Sequence, residues 1–118
     1  MSRRMERLNH LFQSELAELI RDIRDPRLAS IVSITRVEIA PDLEKASVHI
    51  SVLGDPDEKR GSIEALTHAA PYLRRELLHR VHIRKIPVLH FELDETIEEA
   101  ARVLELMRKV SGDNTAGG

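Results

Sequence analysis

The apolar residues of this chain change their spacing several times, and the order of these changes most restricts the fold. In two runs between residues 35 and 52 they alternate with polar residues, and a turn at residues 41–44 separates the runs. This pattern predicts an antiparallel β-hairpin with one buried face. Before and after the hairpin, apolar residues recur every three or four positions, which predicts helices. A hairpin flanked by amphipathic helices favours a sheet that helices cover on one side.

The first helix is predicted over residues 4–23. Its expected buried stripe consists of Met5, Leu8, Leu11, Phe12, Leu16, Leu19, Ile20 and Ile23. These residues have the spacing of one face of a helix with 3.6 residues per turn. Pro26 ends the pattern, because proline has no backbone N–H and disfavours helical geometry at the residue before it.

A second helical pattern covers residues 63–81 and continues in phase through Pro71. A proline inside a helix removes one hydrogen bond and disturbs the preceding turn. We therefore predict two helical pieces that meet at a kink, with Pro71 at the first position of the second piece.

The remaining patterns complete one small domain. Alternation at Leu89, Phe91 and Leu93 predicts a third strand, and a further helical pattern follows it. We predict an α+β fold in which a three-stranded sheet packs on helices. Residues 1–95 would form the domain, and residues 96–118 would form a C-terminal helix and a disordered tail.

Composition excludes several classes of protein. The chain has 118 residues and no cysteine, which excludes disulfides, thiolate metal sites and cysteine nucleophiles. No window is apolar and long enough for a membrane helix. The basic N-terminus is not followed by the apolar region of a signal peptide. The sequence therefore predicts a cytoplasmic protein that has no membrane partner.

Charge is unevenly distributed along the chain, although the net charge is only −2. Residues 72–91 carry five cations and one carboxylate, whereas residues 92–105 carry six carboxylates and one arginine. Such blocks would give the molecule a charge dipole. Two solvated surfaces whose signs differ by chance would explain the pattern equally well.

Residues suited to catalysis are scarce. Three of the five glycines lie in the last seven residues, and Gly54 and Gly61 cannot form a glycine-rich phosphate loop. No serine occurs in the context of a nucleophile elbow. We therefore expect no enzymatic activity, no cofactor and no small-molecule substrate.

Two histidines have a spacing that is compatible with metal binding. His79 and His82 are three apart in the second helical pattern, and at that spacing two imidazoles can share a metal ion. A third ligand would be required, and His49 or His90 on the predicted strands could supply it only if the fold brought them close. No recognised ligand set accompanies these histidines, so we predict no metal site.

Arginine is concentrated on the outer faces of two predicted helices. On a helical wheel, cations of the second helix lie away from its apolar stripe or flank it, and two more follow in the next loop. These residues are Arg74, Arg75, His79, Arg80, Arg84 and Lys85. Arg3, Arg7, His10 and Arg21 face outward on the first helix. Guanidinium groups suit phosphate because they donate two parallel hydrogen bonds, although for either helix alone solubility is a sufficient explanation.

Aromatic residues are nearly absent. Phe12 and Phe91 belong to the predicted core, which leaves Tyr72 as the one candidate for stacking on a base. Proteins that read single-stranded RNA use exposed aromatic platforms. Any RNA binding would therefore depend on phosphates and shape.

Five segments resemble the ribosome-binding factor A family. They are the first helix with the pattern RxxRLNxLFQxEL, the DPRL loop at residues 25–28, VEIAPDLEKASVHISVLG across the hairpin, HAAPYLRREL at the predicted kink, and IRKIPVLHFELDET leading into the last strand. The similarity covers residues 3–105, and the combination is specific although each segment alone is weak. The resemblance implies a type II KH-like fold of the order αββααβ.

The resemblance also implies a particular kink. Typical KH domains bind nucleic acid through a GxxG loop between two helices, and this chain has no such loop. The family has an Ala-x-Gly kink instead, and the matching residues here are Ala69, Ala70 and Pro71. Proline enforces a bend by removing a hydrogen bond, whereas glycine permits one through its freedom in φ.

The function follows from the same resemblance. Members of the family bind the immature small (30S) ribosomal subunit and its 16S rRNA, assist late maturation and 5′-end processing of precursor rRNA, matter most in the cold, and are not enzymes. We therefore expect a monomeric ribosome-biogenesis factor. Its expected RNA-binding residues are Arg3, Arg4, Arg7, Arg74, Arg75, His79, Arg80, Arg84 and Lys85. The alternatives are an adaptor that docks acidic proteins and a metal hydrolase built around His79 and His82.

Overall fold

The computed structural model describes residues 2–117, except for the side chains of Ile97 and of residues 112–117. Six elements follow one another along the chain. They are α1 (Arg3–Ile20), β1 (Val32–Ile39), β2 (Lys45–Val52), α2 (Pro56–Arg80), β3 (Val88–Leu93) and α3 (Thr96–Gly117).

The three strands form one sheet with β2 in its centre. β1 and β2 are antiparallel, as a hairpin requires, whereas β2 and β3 are parallel. A parallel connection needs a crossover, and α2 provides it. The predicted α+β, KH-like fold with a three-stranded sheet is confirmed.

The core lies between the sheet and helices α1 and α2. Phe12 of α1, Val48 and Ile50 of β2, and Leu66 and Leu73 of α2 are completely buried. Burying a side chain of this size stabilises the folded state by about 1.5–3 kcal/mol. These residues belong to the apolar stripes that the sequence predicts, so the stripes do face one core.

α2 is one continuous helix, which corrects the prediction of two helical pieces. It passes through Pro71 without ending. A proline removes one hydrogen bond from a helix interior. Leu66 and Leu73, on either side of Pro71, are both fully buried, so core contacts hold the two halves of the helix in place despite that loss.

The helix ends one residue earlier than the pattern predicts. Val81 is extended (φ −117°, ψ 131°), and its side chain is buried in the core. A β-branched residue adopts this geometry readily. His82 therefore follows the helix and does not share a helical face with His79, which corrects the prediction that both histidines lie in the second helix.

A β-bulge at Thr35 interrupts the alternation predicted for β1. The pairing with β2 shifts between Ile34 and Arg36, which leaves Thr35 without a direct partner across the ladder. Its hydroxyl donates to Asp94 Oδ2 at 2.6 Å. The bulge thereby links β1 to the segment between β3 and α3.

The loop between α1 and β1 packs on the start of α2 through two small residues. Ser62 is fully buried, and its Oγ accepts a hydrogen bond from Ala29 N at 2.9 Å. A Cβ atom at Gly61 would lie 3.0 Å from Arg27 O, so glycine permits this close approach. Asp25 stabilises the same loop by accepting hydrogen bonds from Arg27 N at 2.9 Å and Arg27 Nη2 at 2.8 Å.

α3 is tied to the domain at its first turn, where Lys59 Nζ lies 2.6 Å from Glu98 Oε2. Five of its large apolar side chains are exposed: Val103, Leu104, Leu106, Met107 and Val110. The tail predicted to be disordered falls mostly on residues 112–118, whose side chains lie outside the described part of the chain. The domain boundary at residue 95 stays a prediction. Across the described residues, none of the helices combines the length and apolar character that crossing a membrane requires.

Candidate nucleic-acid interface

Positive charge is concentrated in the first turns of α1. Arg3, Arg4 and Arg7 are exposed, and no carboxylate among the described side chains pairs with them. Glu6 is the acidic residue of the first turn. A helix N-terminus itself carries partial positive charge, so arginines at this end add to the field instead of being neutralised by it. The start of α1 is therefore suited to bind anions.

Arg75 and Arg84 have the same character. Arg75 lies on α2 and Arg84 lies between α2 and β3; both are exposed, and neither forms an ion pair with a described side chain. Exposed guanidinium groups that form no ion pair can donate paired hydrogen bonds to phosphate oxygens.

Arg80 forms ion pairs with two carboxylates of the protein. Its Nη1 lies 2.9 Å from Glu15 Oε2 and 2.9 Å from Glu18 Oε2. The hydrogen bond with Glu15 raises the pKa of Arg80, and the one with Glu18 adds to the effect. Because both carboxylates belong to α1, Arg80 fastens the end of α2 to α1.

Arg74 also acts inside the fold. It is half-buried, and its Nη2 donates to Ile86 O at 2.9 Å. Its Nε is buried without a hydrogen-bond partner among the described residues. Arg74 therefore holds the segment before β3, which carries Arg84 and Lys85, against α2.

Two further predicted residues form exposed pairs with carboxylates. Lys85 Nζ lies 2.8 Å from Glu44 Oε2 in the hairpin turn, and His79 Nδ1 lies 3.7 Å from Glu76 Oε2 one turn earlier in α2. Surface ion pairs of this kind stabilise a protein by only about 0–1 kcal/mol. Their cations can therefore exchange these partners for phosphates at little cost.

The predicted kink residues lie inside α2. Ala69 and Ala70 are partly buried and pack against the core, whereas Pro71 is exposed. Small side chains at the first two positions let the helix approach the core closely. Pro71 leaves the backbone oxygen four residues earlier without its usual helical donor.

The positions of the two histidines do not support the hypothesis of a metal site. His79 is on α2 and His82 is beyond the helix end. Within the described part of the chain, no three histidine or carboxylate side chains are grouped so that they could hold a metal ion.

A groove joins the start of α1 to the segment after α2. Arg4 and Arg7 line it from α1, His82 and Ile83 from the segment after α2, and Leu43 from the hairpin turn. Its volume is about 500 Å³. Arg4 and Arg7 thus share one surface with His82 and Ile83, which lie far from them in the sequence, and we call this surface the basic groove.

The acidic block forms a different surface. Glu92, Asp94 and Glu99 line a groove at the end of β3, and none of these residues belongs to the basic groove. The hydrogen bond from Thr35 lowers the pKa of Asp94 to about 2, with a further contribution from Thr96. Carboxylates therefore outnumber the two basic residues of this groove, Arg36 and His49, and the groove is separate from the basic groove.

The family model of ribosome-binding factor A matches residues 4–107. The chain belongs to the ribosome-binding factor A family. A curated relative, ribosome-binding factor A from Acetivibrio thermocellus, is 40% identical over 112 residues, which cover 94% of this chain and 91% of the relative. The family match includes all of the predicted RNA-binding residues except Arg3.

Solved structures of the ribosome-binding factor A family share the fold. The crystal structure of the Thermus thermophilus protein has a TM-score of 0.69 and 28% identity, with 75% of this chain and 93% of that chain covered. A homology model of the Thermus thermophilus protein, fitted into a cryo-electron microscopy map of a complex of the 30S subunit with ribosome-binding factor A, has a TM-score of 0.61 and 25% identity. It covers 81% of this chain and 97% of its own.

Sequence reasoning missed the apolar part of the basic groove. Leu43 lies in a turn of otherwise polar character and outside the alternation of both hairpin strands. Leu11 belongs to the predicted stripe of α1, yet it is 41% exposed. An apolar residue in a polar turn was the available signal, but only the fold shows that Leu43 faces the start of α1.

Proposed function

We propose that this member of the ribosome-binding factor A family binds the immature 30S subunit through phosphates of its 16S rRNA. The observation that carries the proposal is the group of exposed arginines at the start of α1, Arg3, Arg4 and Arg7, which have no carboxylate partner among the described side chains. The relative fitted into a map of a 30S complex supports the choice of partner.

The nine predicted residues then divide into three groups. Arg75 and Arg84 bind phosphate together with the α1 arginines. Lys85 and His79 contribute by leaving their exposed carboxylates. The structural contacts of Arg74 and Arg80 instead position the surface, because their guanidinium groups are engaged by Ile86 O and by two glutamates.

The biological role is to assist late maturation of the small subunit, including 5′-end processing of precursor rRNA. The chain acts as a cytoplasmic, non-catalytic monomer that stabilises one conformation of the RNA by neutralising phosphates. Such help matters most in the cold, when misfolded RNA rearranges slowly. Family membership and the scarcity of catalytic side chains support this role.

Co-sedimentation with purified immature and mature 30S subunits tests the proposal. We expect retention on immature particles, with an affinity that falls steeply as salt is raised, because counterions are released from phosphates on binding. The triple variant R3Q/R4Q/R7Q should bind more weakly, and its slope of log affinity against log salt should be shallower by about one for each phosphate that is no longer neutralised. Arg60→Gln is the matched control, since Arg60 is an exposed arginine that already pairs with Asp57.

Two outcomes would contradict the proposal in different ways. Retention on neither particle would show that the partner is wrong. Retention of the triple variant equal to that of the wild type would show that the α1 arginines do not carry the binding. An adaptor for acidic proteins would remain bound after ribonuclease removes the rRNA.

A further inference from the structure

The basic groove has an apolar floor. Leu8, Leu11, Leu43 and Ile83 line it together with Arg4 and Arg7 of α1. Its volume of about 500 Å³ lies in the range of roughly 300–1,000 Å³ that is common for small-ligand sites. The groove thus combines apolar surface with cations, which neither phosphate binding nor core packing alone requires.

Among the described residues, no carboxylate lines this groove. Three other grooves of the described surface each have acidic residues in their walls: Asp25 in one, Glu6 and Glu38 in another, and Glu92 in the third. Arg4 and Arg7 consequently face an apolar surface without an acidic partner among the described side chains. An occupant that is both apolar and anionic would satisfy both features.

The turn that forms one wall is strained. Leu43 has a φ of 62°, in the left-handed region that disfavours residues with a branched apolar side chain. Its backbone N–H donates to Ala40 O at 2.8 Å, a turn geometry that asparagine or glycine adopts with less strain. Leu43 is instead partly buried against the core and lines the groove. Strained residues of this kind are concentrated at functional sites.

We infer that this groove receives one unpaired nucleotide of the bound RNA. The base lies against Leu11, Leu43 and Ile83, and the adjoining phosphates accept hydrogen bonds from Arg4, Arg7 and the exposed His82. A nucleotide has flat apolar faces and a negative backbone, which matches the two features of the groove. The inference rests on the proposed rRNA binding and adds to it the recognition of a base.

Binding of a base in this groove would not require an aromatic residue. Tyr72 does not line the groove, and Phe12 and Phe91 are buried. Aliphatic side chains exclude water from the face of a base in place of a stacked ring. An apolar side chain of a partner protein would fill the floor equally well, but it would leave Arg4 and Arg7 without anions, which is why we assign the groove to RNA.

Two RNA hairpins that differ at a single position test the inference. One carries a single bulged nucleotide, and the other carries an abasic nucleotide at the same place, so that their charges are equal. We expect the wild-type chain to bind the first roughly tenfold more tightly, an effect at the lower end of the range found for a base that stacks on an aromatic side chain.

Leu43→Asn should remove this preference and leave the affinity for the abasic hairpin unchanged. Asparagine tolerates the left-handed geometry and keeps the hydrogen bond to Ala40 O. Leu11→Gln provides a second variant at a position of α1 that is partly exposed to solvent. Leu53→Asn is the control, since Leu53 follows β2 just as Leu43 precedes it, is 66% exposed, and lies outside the groove.

The other possible results would contradict the inference, or the inference together with the proposed function. Equal binding of both hairpins by the wild type would overturn the inference and leave phosphate binding intact, whereas failure to bind either at low salt, together with no retention on 30S particles, would remove the proposed function as well. A preference that persists in both Leu43→Asn and Leu11→Gln would place the base elsewhere. Loss of 30S retention in these variants with unchanged RNA binding would show that a protein side chain occupies the groove.

Discussion

Arg74 Nη2 donates a hydrogen bond to the backbone oxygen of Ile86 at 2.9 Å. The contact joins α2 to the segment that leads into β3. Arg75, the next residue along α2, is exposed and forms no ion pair with a described side chain. Two consecutive arginines thus have different roles, one inside the fold and one at its surface.

Substituting these arginines one at a time should separate stability from RNA binding. Arg74→Met should lower the free energy of unfolding by about 1–3 kcal/mol, because it removes a charged donor to a backbone oxygen. Arg75→Met should change it by less than about 0.5 kcal/mol but weaken RNA binding and reduce its salt dependence. Urea denaturation and RNA titration measure the two effects. Equal losses of stability would contradict the distinction.

Gly61→Ala should destabilise the chain, although alanine favours helices by about 1 kcal/mol over glycine. The added Cβ would lie 3.0 Å from Arg27 O, and a backbone atom yields less readily than a flexible side chain. We expect a net loss of about 1–2 kcal/mol, in the range of other overpacked sites. Thermal unfolding measures it, with Thr67→Ala at an exposed position of α2 as the control. A raised midpoint of thermal unfolding would show that the loop between α1 and β1 moves away from the added Cβ atom without a cost in stability.

Pro71→Ala should stabilise the chain by up to about 3 kcal/mol, because it restores an N–H to the helix interior. Pro56→Ala is the matched control, since Pro56 lies in the first turn of α2, where proline is well tolerated. Denaturant unfolding of both variants is the measurement. If Pro71→Ala did not raise the free energy of unfolding, Pro71 would not destabilise the helix at this position. Retention of the variant on 30S particles would then report whether rRNA binding depends on proline at this position.

The Asp94 carboxylate should make stability depend on acid. Its folded-state pKa is lowered to about 2 from 3.8, first by the hydrogen bond from Thr35 and then by Thr96. The folded state therefore binds this proton less readily than the unfolded state, so the stabilisation is complete above about pH 4 and is lost as the pH falls through 2. The difference in unfolding free energy between the wild type and Asp94→Asn should shrink over this interval. Thr35→Val should bring the folded-state pKa of Asp94 closer to its usual value and so narrow the pH interval over which this stability is lost. A difference between the wild type and Asp94→Asn that is constant with pH would contradict the lowered pKa of Asp94.

Local patterns were sufficient for the order of the elements and most of the core. Phe12 and Leu16 of α1 and Val48 and Ile50 of β2 are buried where periodicity predicts, because one buried face imposes its period on the sequence. Pro71 shows the limit of local rules. The cost of a proline is local, but the burial of Leu66 and Leu73 that outweighs it depends on the sheet beneath.

The candidate site was predictable as a set of residue types and not as a surface. Arginine content singled out nine cations, but Arg80 and Arg74 are held by residues of other segments: Glu15 and Glu18 for Arg80, and Ile86 for Arg74. No spacing rule connects such residues. Only the packed chain distinguishes guanidinium groups that hold the fold from those that face solvent.

The sequence by itself determined the elements, the class of fold and the family, because hydrophobic periodicity and characteristic segments are properties of neighbouring residues. Tertiary structure decided which arginines form contacts within the fold and placed Leu43 with the start of α1 in the basic groove. The physical reason is that hydrogen bonds, ion pairs and grooves depend on distances between residues far apart in the chain, and those distances exist only once the helices pack on the sheet.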